Sequence, residues 1–202
     1  MEEHHPEISE GRLFYFEQEE VIIEGIHDAD LILDIGGGGE GIIGKLKGRQ
    51  TIAIDLNKQE LEEAALGPLK IVMDAADLQF LDESFNTVTS FYTLMYIKDR
   101  DNLRQVFTEV YRVLKEGGRF LIWDGILPQR ETMDKDVAVF MLAVKLGEDV
   151  VNTGYGTLWP EEGRRPTYYV EMARNAGFEV VLQKEEGRRL FLELRKHSEV
   201  AG

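Results

Sequence analysis

The stretch Asp34-Ile35-Gly36-Gly37-Gly38-Gly39-Glu40-Gly41 limits the fold of this 202-residue chain more than any other. It ends an apolar run, Leu31-Ile32-Leu33-Asp34-Ile35, that reads as a buried strand. Behind it Ile42, Ile43 and Leu46 carry helical spacing, and Thr51-Ile52-Ala53-Ile54-Asp55 is a second strand-like run. Strand, glycine turn, helix and strand thus follow one another within about 25 residues, the length of a βαβ unit. Such a unit places its two strands parallel, so a sheet covered on both faces is expected.

The rest of the chain continues the alternation. Asn57 is positioned to cap a helix, with Glu60 three residues on in a capping-box arrangement. Lys70-Ile71-Val72-Met73 and Asn86-Thr87-Val88-Thr89-Ser90-Phe91 read as the third and fourth strands. Leu103, Val106, Phe107, Val110 and Leu114 form one apolar helical stripe, with Asp101 as the expected cap and Gly117 as the expected left-handed stop. A fifth strand follows over 119–123. Met133, Val137, Phe140, Met141 and Val144 then predict an extra amphipathic helix, and 147–165 a long loop containing Tyr155, Trp159 and Pro160. Pro166 opens a last helix and Gly177 ends it. Strands over 178–182 and 188–195, joined at Glu185-Glu186-Gly187, close the chain as an antiparallel hairpin. The expected fold is α/β: a doubly wound, Rossmann-like sheet of seven strands, mostly parallel, with an antiparallel terminal hairpin strand.

Asp55 stands 19 residues after Gly36, at the end of the second strand. A carboxylate there accepts hydrogen bonds from ribose hydroxyls, while glycines admit close approach to the backbone at a helix N-terminus. The pair points to an adenosine-type cofactor. Gly36, Gly38 and Gly41 also satisfy the dinucleotide fingerprint, so an NAD(P)-dependent oxidoreductase is an alternative. Asp34 argues against it, since a carboxylate beside the loop repels a pyrophosphate and suits an ammonium group.

At these residues the chain resembles the class I S-adenosylmethionine-dependent methyltransferases, in particular the small-molecule, ubiquinone/menaquinone-type group. The resemblance covers roughly 30–125. The glycine loop resembles the DxGxGxG motif, with Glu40 where a third glycine is usual and Gly41 taking that role. Asp74-Ala75-Ala76-Asp77-Leu78-Gln79-Phe80 is similar to the D-A-x-x-L-P-F run, with Gln79 in place of proline, and 112–120 is close to R-V-L-K-P-G-G-x-x. Asn86 replaces a frequent aspartate, and Leu94-Met95-Tyr96-Ile97 lacks the histidine of the segment after the fourth strand. The resemblance implies S-adenosyl-L-methionine as cofactor and S-adenosyl-L-homocysteine as product. It implies Asp34 at the ammonium, Gly36 and Gly38 along the methionyl part, and Asp55 on the ribose. Leu56 is implied against the adenine, Asp74 and Ala75 at its amino edge, and the Phe91 carbonyl at the ammonium.

Charge and composition narrow the partners. The chain carries 38 acidic and 23 basic residues, net −15, and residues 1–30 hold ten acids with Arg12 as the one base. No basic face for nucleic acid is visible, so a small-molecule acceptor is expected. Cysteine is absent, which excludes a thiol nucleophile and thiolate metal ligands, and the four histidines form no metal-ligand pattern. No apolar run approaches the ~20 residues of a membrane span, and the N-terminus has no secretory pattern, so a cytoplasmic protein is expected. The expected organisation is one domain over 1–202, with an N-terminal helical cap at 1–30 and an inserted substrate-side segment at 126–165. Tyr155 and Trp159 are the candidate acceptor-pocket walls; no general base is evident. Because methyl transfer needs no diagnostic catalytic residue, a non-catalytic S-adenosylmethionine-binding domain is a further alternative.

Overall fold

The computed structural model describes residues 10–28, 30–129, 134–160 and 163–197. A 3-10 turn at Glu10–Arg12 precedes β1 (Leu13–Tyr15) and β2 (Glu19–Ile22). Then come β3 (Ile32–Ile35), α1 (Ile42–Lys47), β4 (Thr51–Asp55), α2 (Lys58–Glu63), β5 (Leu69–Val72) and β6 (Phe85–Phe91). They are followed by α3 (Arg100–Val113), β7 (Leu114–Gly125), β8 (Val137–Leu146), β9 (Asp149–Leu158), α4 (Pro166–Ala176), β10 (Glu179–Glu186) and β11 (Arg189–Arg195).

Seven strands form the main sheet in the order β10-β11-β7-β6-β3-β4-β5. Neighbours from β5 to β7 pair in parallel, and β11 lies antiparallel to β7 and β10. This is the expected Rossmann-like architecture. The chain runs outward from β3 to β5 and returns beside β3 as β6, so the strand order reverses between β3 and β6. Ligands in open α/β sheets bind at such a switch point, beyond the carboxyl ends of the strands.

The strand period of two divides the core into two clusters. Leu33, Ile35, Phe120 and Ile122 face α3 and α4, where Leu103, Val106, Phe107, Val110 and Val113 are fully buried. Burying each such side chain contributes roughly 1.5–3 kcal/mol, which outweighs the modest propensity of a β-branched helix stripe. Asp99 caps α3 by accepting from the Asn102 N–H, not Asp101, whose carboxylate is held by Arg104. The helix ends at Val113 without a glycine. Gly117, at φ +69°, lies inside β7, three residues past its start.

The opposite face differs from expectation. Residues 137–146 form a strand, not an amphipathic helix, and 149–158 form its antiparallel partner, not a loop. Ala138, Phe140, Leu142 and Val144 are all buried and alternate strictly, so the run carries a period of two as well as the helical spacing. Met133 lies outside the described residues. The N-terminal segment is likewise not a helical cap over its described part. Instead β1 and β2 run in parallel along one edge of β8, with Leu13 beside Val137 and Glu19 beside Leu142. The second sheet, β1/β2-β8-β9, packs on Ile32, Leu121, Trp123 and Phe191 where a helix layer was expected. Among the described residues no helix is long and apolar enough to cross a membrane.

Candidate functional site

The glycine loop lies at the switch point. The N–H groups of Gly36 and Gly37 both donate to the Ile54 carbonyl, at 2.8 and 3.0 Å, and Gly39 donates to the Glu60 carbonyl at 2.8 Å. Gly41, at φ +52°, caps α1 and donates to the Gly38 carbonyl. These donors therefore tie the loop to β4, α2 and itself; they do not form the outward row of N–H groups expected from the sequence. What the glycines provide is a surface with no side chains. A Cβ on Gly36 would lie 2.2 Å from Thr93 Oγ1, which links the loop after β3 to the loop after β6.

Three carboxylates crowd the next three glycines. A Cβ on Gly37 would lie 2.7 Å from Asp34 Oδ2, on Gly38 2.8 Å from Asp55 Oδ2, and on Gly39 2.6 Å from Glu60 Oε2. The loop is set in a negative field, with Lys45 paired to Glu40 beside it. Asp55 ends β4, half-buried, its Oδ1 accepting from the Asn57 N–H at 2.8 Å and its Oδ2 from the Gly38 N–H at 3.3 Å. Asn57 caps α2 through the Gln59 N–H, and its own N–H goes to Asp55. Leu56 is 71% exposed at the mouth of the site. Asp74, exposed after β5, holds its turn by accepting from the Ala76 N–H at 2.8 Å, and Ala75 is half-buried. Arg112 fixes this segment from below, donating to the Leu78 and Phe80 carbonyls, so the two motif segments 74–80 and 112–120 are one structural unit.

Asp34 sits beneath the loop, 2% exposed, accepting from the Thr89 hydroxyl at 2.7 Å. Burial pushes its carboxyl up to about 7, opposed by the Thr89 hydrogen bond and assisted by the Asp55 charge. Its charge near neutral pH is only partial, so Asp34 alone repels a pyrophosphate less than expected; the trio with Asp55 and Glu60 supplies that field instead. Asp124, buried at the end of β7 and bonded to Met95, Gly125 and Tyr169, is likewise pushed up to about 7 by burial. In the unfolded chain such carboxyls titrate near pH ~4. The native state thus holds protons that the unfolded chain has released, and stability falls as pH rises from about 4 through 7. The thermal midpoint should drop over that window, and Asp34→Asn, which keeps an oxygen for Thr89, should flatten the drop. Each tenfold difference in proton affinity between the folded and unfolded states is worth about 1.4 kcal/mol, or roughly 3–6 °C for a chain of this size. An unaltered pH profile in the variant would mean that Asp34 stays ionised in the native protein.

Aromatic residues line the end of β6. Phe91 is buried, and its carbonyl already accepts from the Thr93 hydroxyl at 3.1 Å. Tyr155 of β9 stacks on Tyr92 at 5.2 Å and meets Phe91 edge-on at 5.8 Å. Burial pushes its hydroxyl well above the ordinary tyrosine range. Trp159 is not part of this wall. Its indole N–H donates to the Pro128 carbonyl at 2.9 Å and its ring packs on Phe14 and Phe16, so it anchors the second sheet. Arg164 is also structural, buried and bonded to the Leu94 and Ile97 carbonyls. Sequence reasoning missed Thr93 and gave Glu60 only a capping-box place on α2. Glu60 reaches the loop from α2 and Thr93 from the segment after β6, so neither is placed there by the glycine motif itself.

A methyltransferase domain family matches residues 33–122, the span from β3 to β7. The chain is 30% identical over 176 residues to the ubiquinone/menaquinone biosynthesis C-methyltransferase of Psychromonas ingrahamii, covering 77% of this chain and 68% of that protein. The enzyme of the same description from Vibrio parahaemolyticus is 29% identical over 175 residues, with 77% and 66% covered. The chain thus spans about two thirds of the length of these curated relatives. Among solved structures, a SAM-dependent methyltransferase from Methanosarcina mazei superposes with a TM-score of 0.61 at 18% identity, over 86% of this chain and 95% of that one.

Proposed function

The chain belongs to the class I S-adenosylmethionine-dependent methyltransferases, and we propose that it transfers a methyl group from that cofactor to a small-molecule acceptor. The observation that carries this reading is the carboxylate trio set against Gly37, Gly38 and Gly39. A negative field around a side-chain-free loop suits a cofactor bearing an ammonium and a sulfonium and no phosphate, and it opposes a pyrophosphate. The residues also fit the rest of the group. Asp55 has lone pairs left for the ribose hydroxyls, the exposed Leu56 offers the apolar surface that a purine covers, and Asp74 and Ala75 stand at the end of the neighbouring strand. The methionyl part would run along the backbone of Gly36 and Gly38, whose side-chain directions are taken up by Thr93, Glu60 and Asp55, and the Phe91 carbonyl joins Asp34 at its ammonium end.

When bound, S-adenosylmethionine supplies an electrophilic methyl group. The protein's own work is alignment and exclusion of water. The 126–165 segment serves this purpose from the acceptor side, supported by the position of Tyr155 over Phe91 and Tyr92. Calorimetry tests the reading directly. S-adenosylhomocysteine should bind in the micromolar range or tighter and NADH should not displace it. Displacement by micromolar NADH would favour the oxidoreductase alternative, and binding of neither would overturn the cofactor assignment.

A further inference from the structure

The strip 93–97 leaves β6 at the carboxyl end of the sheet and turns through a 3-10 helix at Leu94–Tyr96. It is entered under strain. Tyr92 holds φ +50°, a left-handed conformation that bulky residues avoid, and its N–H donates to the Trp123 carbonyl at 2.7 Å. Such a conformation persists only where the surroundings over-determine it.

Three buried side chains from distant parts of the chain hold the strip. Asp124, at the end of β7, accepts from the Met95 N–H at 3.0 Å. Arg164, just before α4, donates to the Leu94 carbonyl at 2.8 Å and to the Ile97 carbonyl. The Thr157 hydroxyl, on β9, donates to the Met95 carbonyl at 3.3 Å. Asp124 is itself fixed from both sides. Tyr169 of α4 donates to the same oxygen as Met95, at 3.1 Å, and the Gly125 N–H donates to the other at 2.8 Å.

Stability alone does not account for this arrangement. A carboxyl group and a guanidinium taken out of water lose hydration, and apolar groups of the same shape often serve stability as well or better. What the polar groups supply is a fixed geometry for the strip. The strip in turn borders the candidate site. Thr93 lies against Gly36, where a Cβ would be 2.2 Å from its Oγ1, and its hydroxyl donates to the Phe91 carbonyl at 3.1 Å.

We propose that Asp124 is a positioning residue of the cofactor site: through the Met95 N–H, and together with Arg164 and Thr157, it holds the 93–97 strip against the glycine loop at the methionyl end of S-adenosylmethionine. The inference rests on the methyltransferase reading for the identity of that ligand. Asp124 acts through the strip and not on the reacting atoms. Its two oxygens are both needed, because the Met95 and Gly125 N–H groups meet different ones. An amide at this position turns its NH2 group towards one of those donors.

Calorimetry with S-adenosylhomocysteine and 5′-methylthioadenosine tests it. The second ligand has the same nucleoside and sulfur and lacks the amino-acid end. Asp124→Asn should weaken S-adenosylhomocysteine about tenfold and leave 5′-methylthioadenosine unchanged. Thr157→Val keeps nearly the same shape and removes the bond to the Met95 carbonyl; it should weaken S-adenosylhomocysteine about two- to fivefold with the same selectivity. Leu194→Ala is the stability control. Leu194 is fully buried beside Phe120, towards the amino ends of the parallel strands, so this variant should melt lower and leave both affinities unchanged. A purely structural role for Asp124 would weaken both ligands together or neither. Equal losses for the two ligands, or full S-adenosylhomocysteine affinity in the folded variants, would overturn the inference, and Thr157→Val decides it if Asp124→Asn does not fold. If the wild type binds neither ligand, the cofactor reading falls and the inference with it; if it binds both and the variants show no split, the inference falls alone.

Discussion

Asp55→Ala should weaken S-adenosylhomocysteine binding by about 10- to 150-fold, the loss expected when hydrogen bonds to a charged group worth ~1.5–3 kcal/mol disappear. Each Asp55 oxygen holds one backbone N–H, from Asn57 and from Gly38, and keeps a lone pair free. The alanine variant therefore loses the acceptors proposed for the ribose and one tie between β4 and the loop together. Asp55→Asn separates the two effects. Its amide oxygen can still accept from Asn57, so the turn is retained while the charge and one acceptor are lost. Its affinity should fall between wild type and alanine. Calorimetry showing full affinity in a folded alanine variant would remove Asp55 from the site.

Gly38→Val should abolish cofactor binding and lower the melting point. The reason is crowding within the protein. A Cβ there would lie 2.6 Å from the Glu60 Cβ and 2.8 Å from Asp55 Oδ2, so α2 and the Asp55 carboxylate must both move. Overpacking of this kind costs roughly 1–3 kcal/mol, about 2–12 °C in melting point. Displacing a binding group by about 1 Å costs on the order of a hundredfold. Gly48→Ala is the control. Gly48 has φ +54° and ψ −124° and nothing within 4 Å of its Cβ position, so alanine there should cost about 1–3 kcal/mol of backbone strain in stability and nothing in binding. Retained affinity in a folded Gly38→Val protein would reduce the glycines to a tight turn.

The parallel core was legible because its signals are local. The runs at 31–35, 51–55 and 86–91, the stripe on α3 and the Pro166–Gly177 helix bounds each lie within contiguous residues, and all appear in the structure. The second sheet was not legible. Residues 137–146 carry helical and strand periodicity at once, and strand partners from 13–22 and 149–158 decide between them. Asp99 rather than Asp101 caps α3, with Asp101 inside the first turn and paired with Arg104, a choice between residues two positions apart that propensity alone does not make.

The candidate site divides the same way. Asp34, the glycines and Asp55 stand in the sequence at the spacing of a strand–turn–helix–strand unit, and that spacing alone pointed to an adenosine-type cofactor. Tertiary structure decided that Asp34 is buried under the loop, that Glu60 completes the carboxylate trio, and that Trp159 anchors the second sheet while Tyr155 stacks on Tyr92. It also decided that the Tyr92 hydroxyl is buried without a partner. The physical reason is range. Periodicity, capping and turn conformation are set by neighbours along the chain, whereas burial, pairing and the field at a group depend on residues tens to more than a hundred positions away, which meet only when the sheet is assembled.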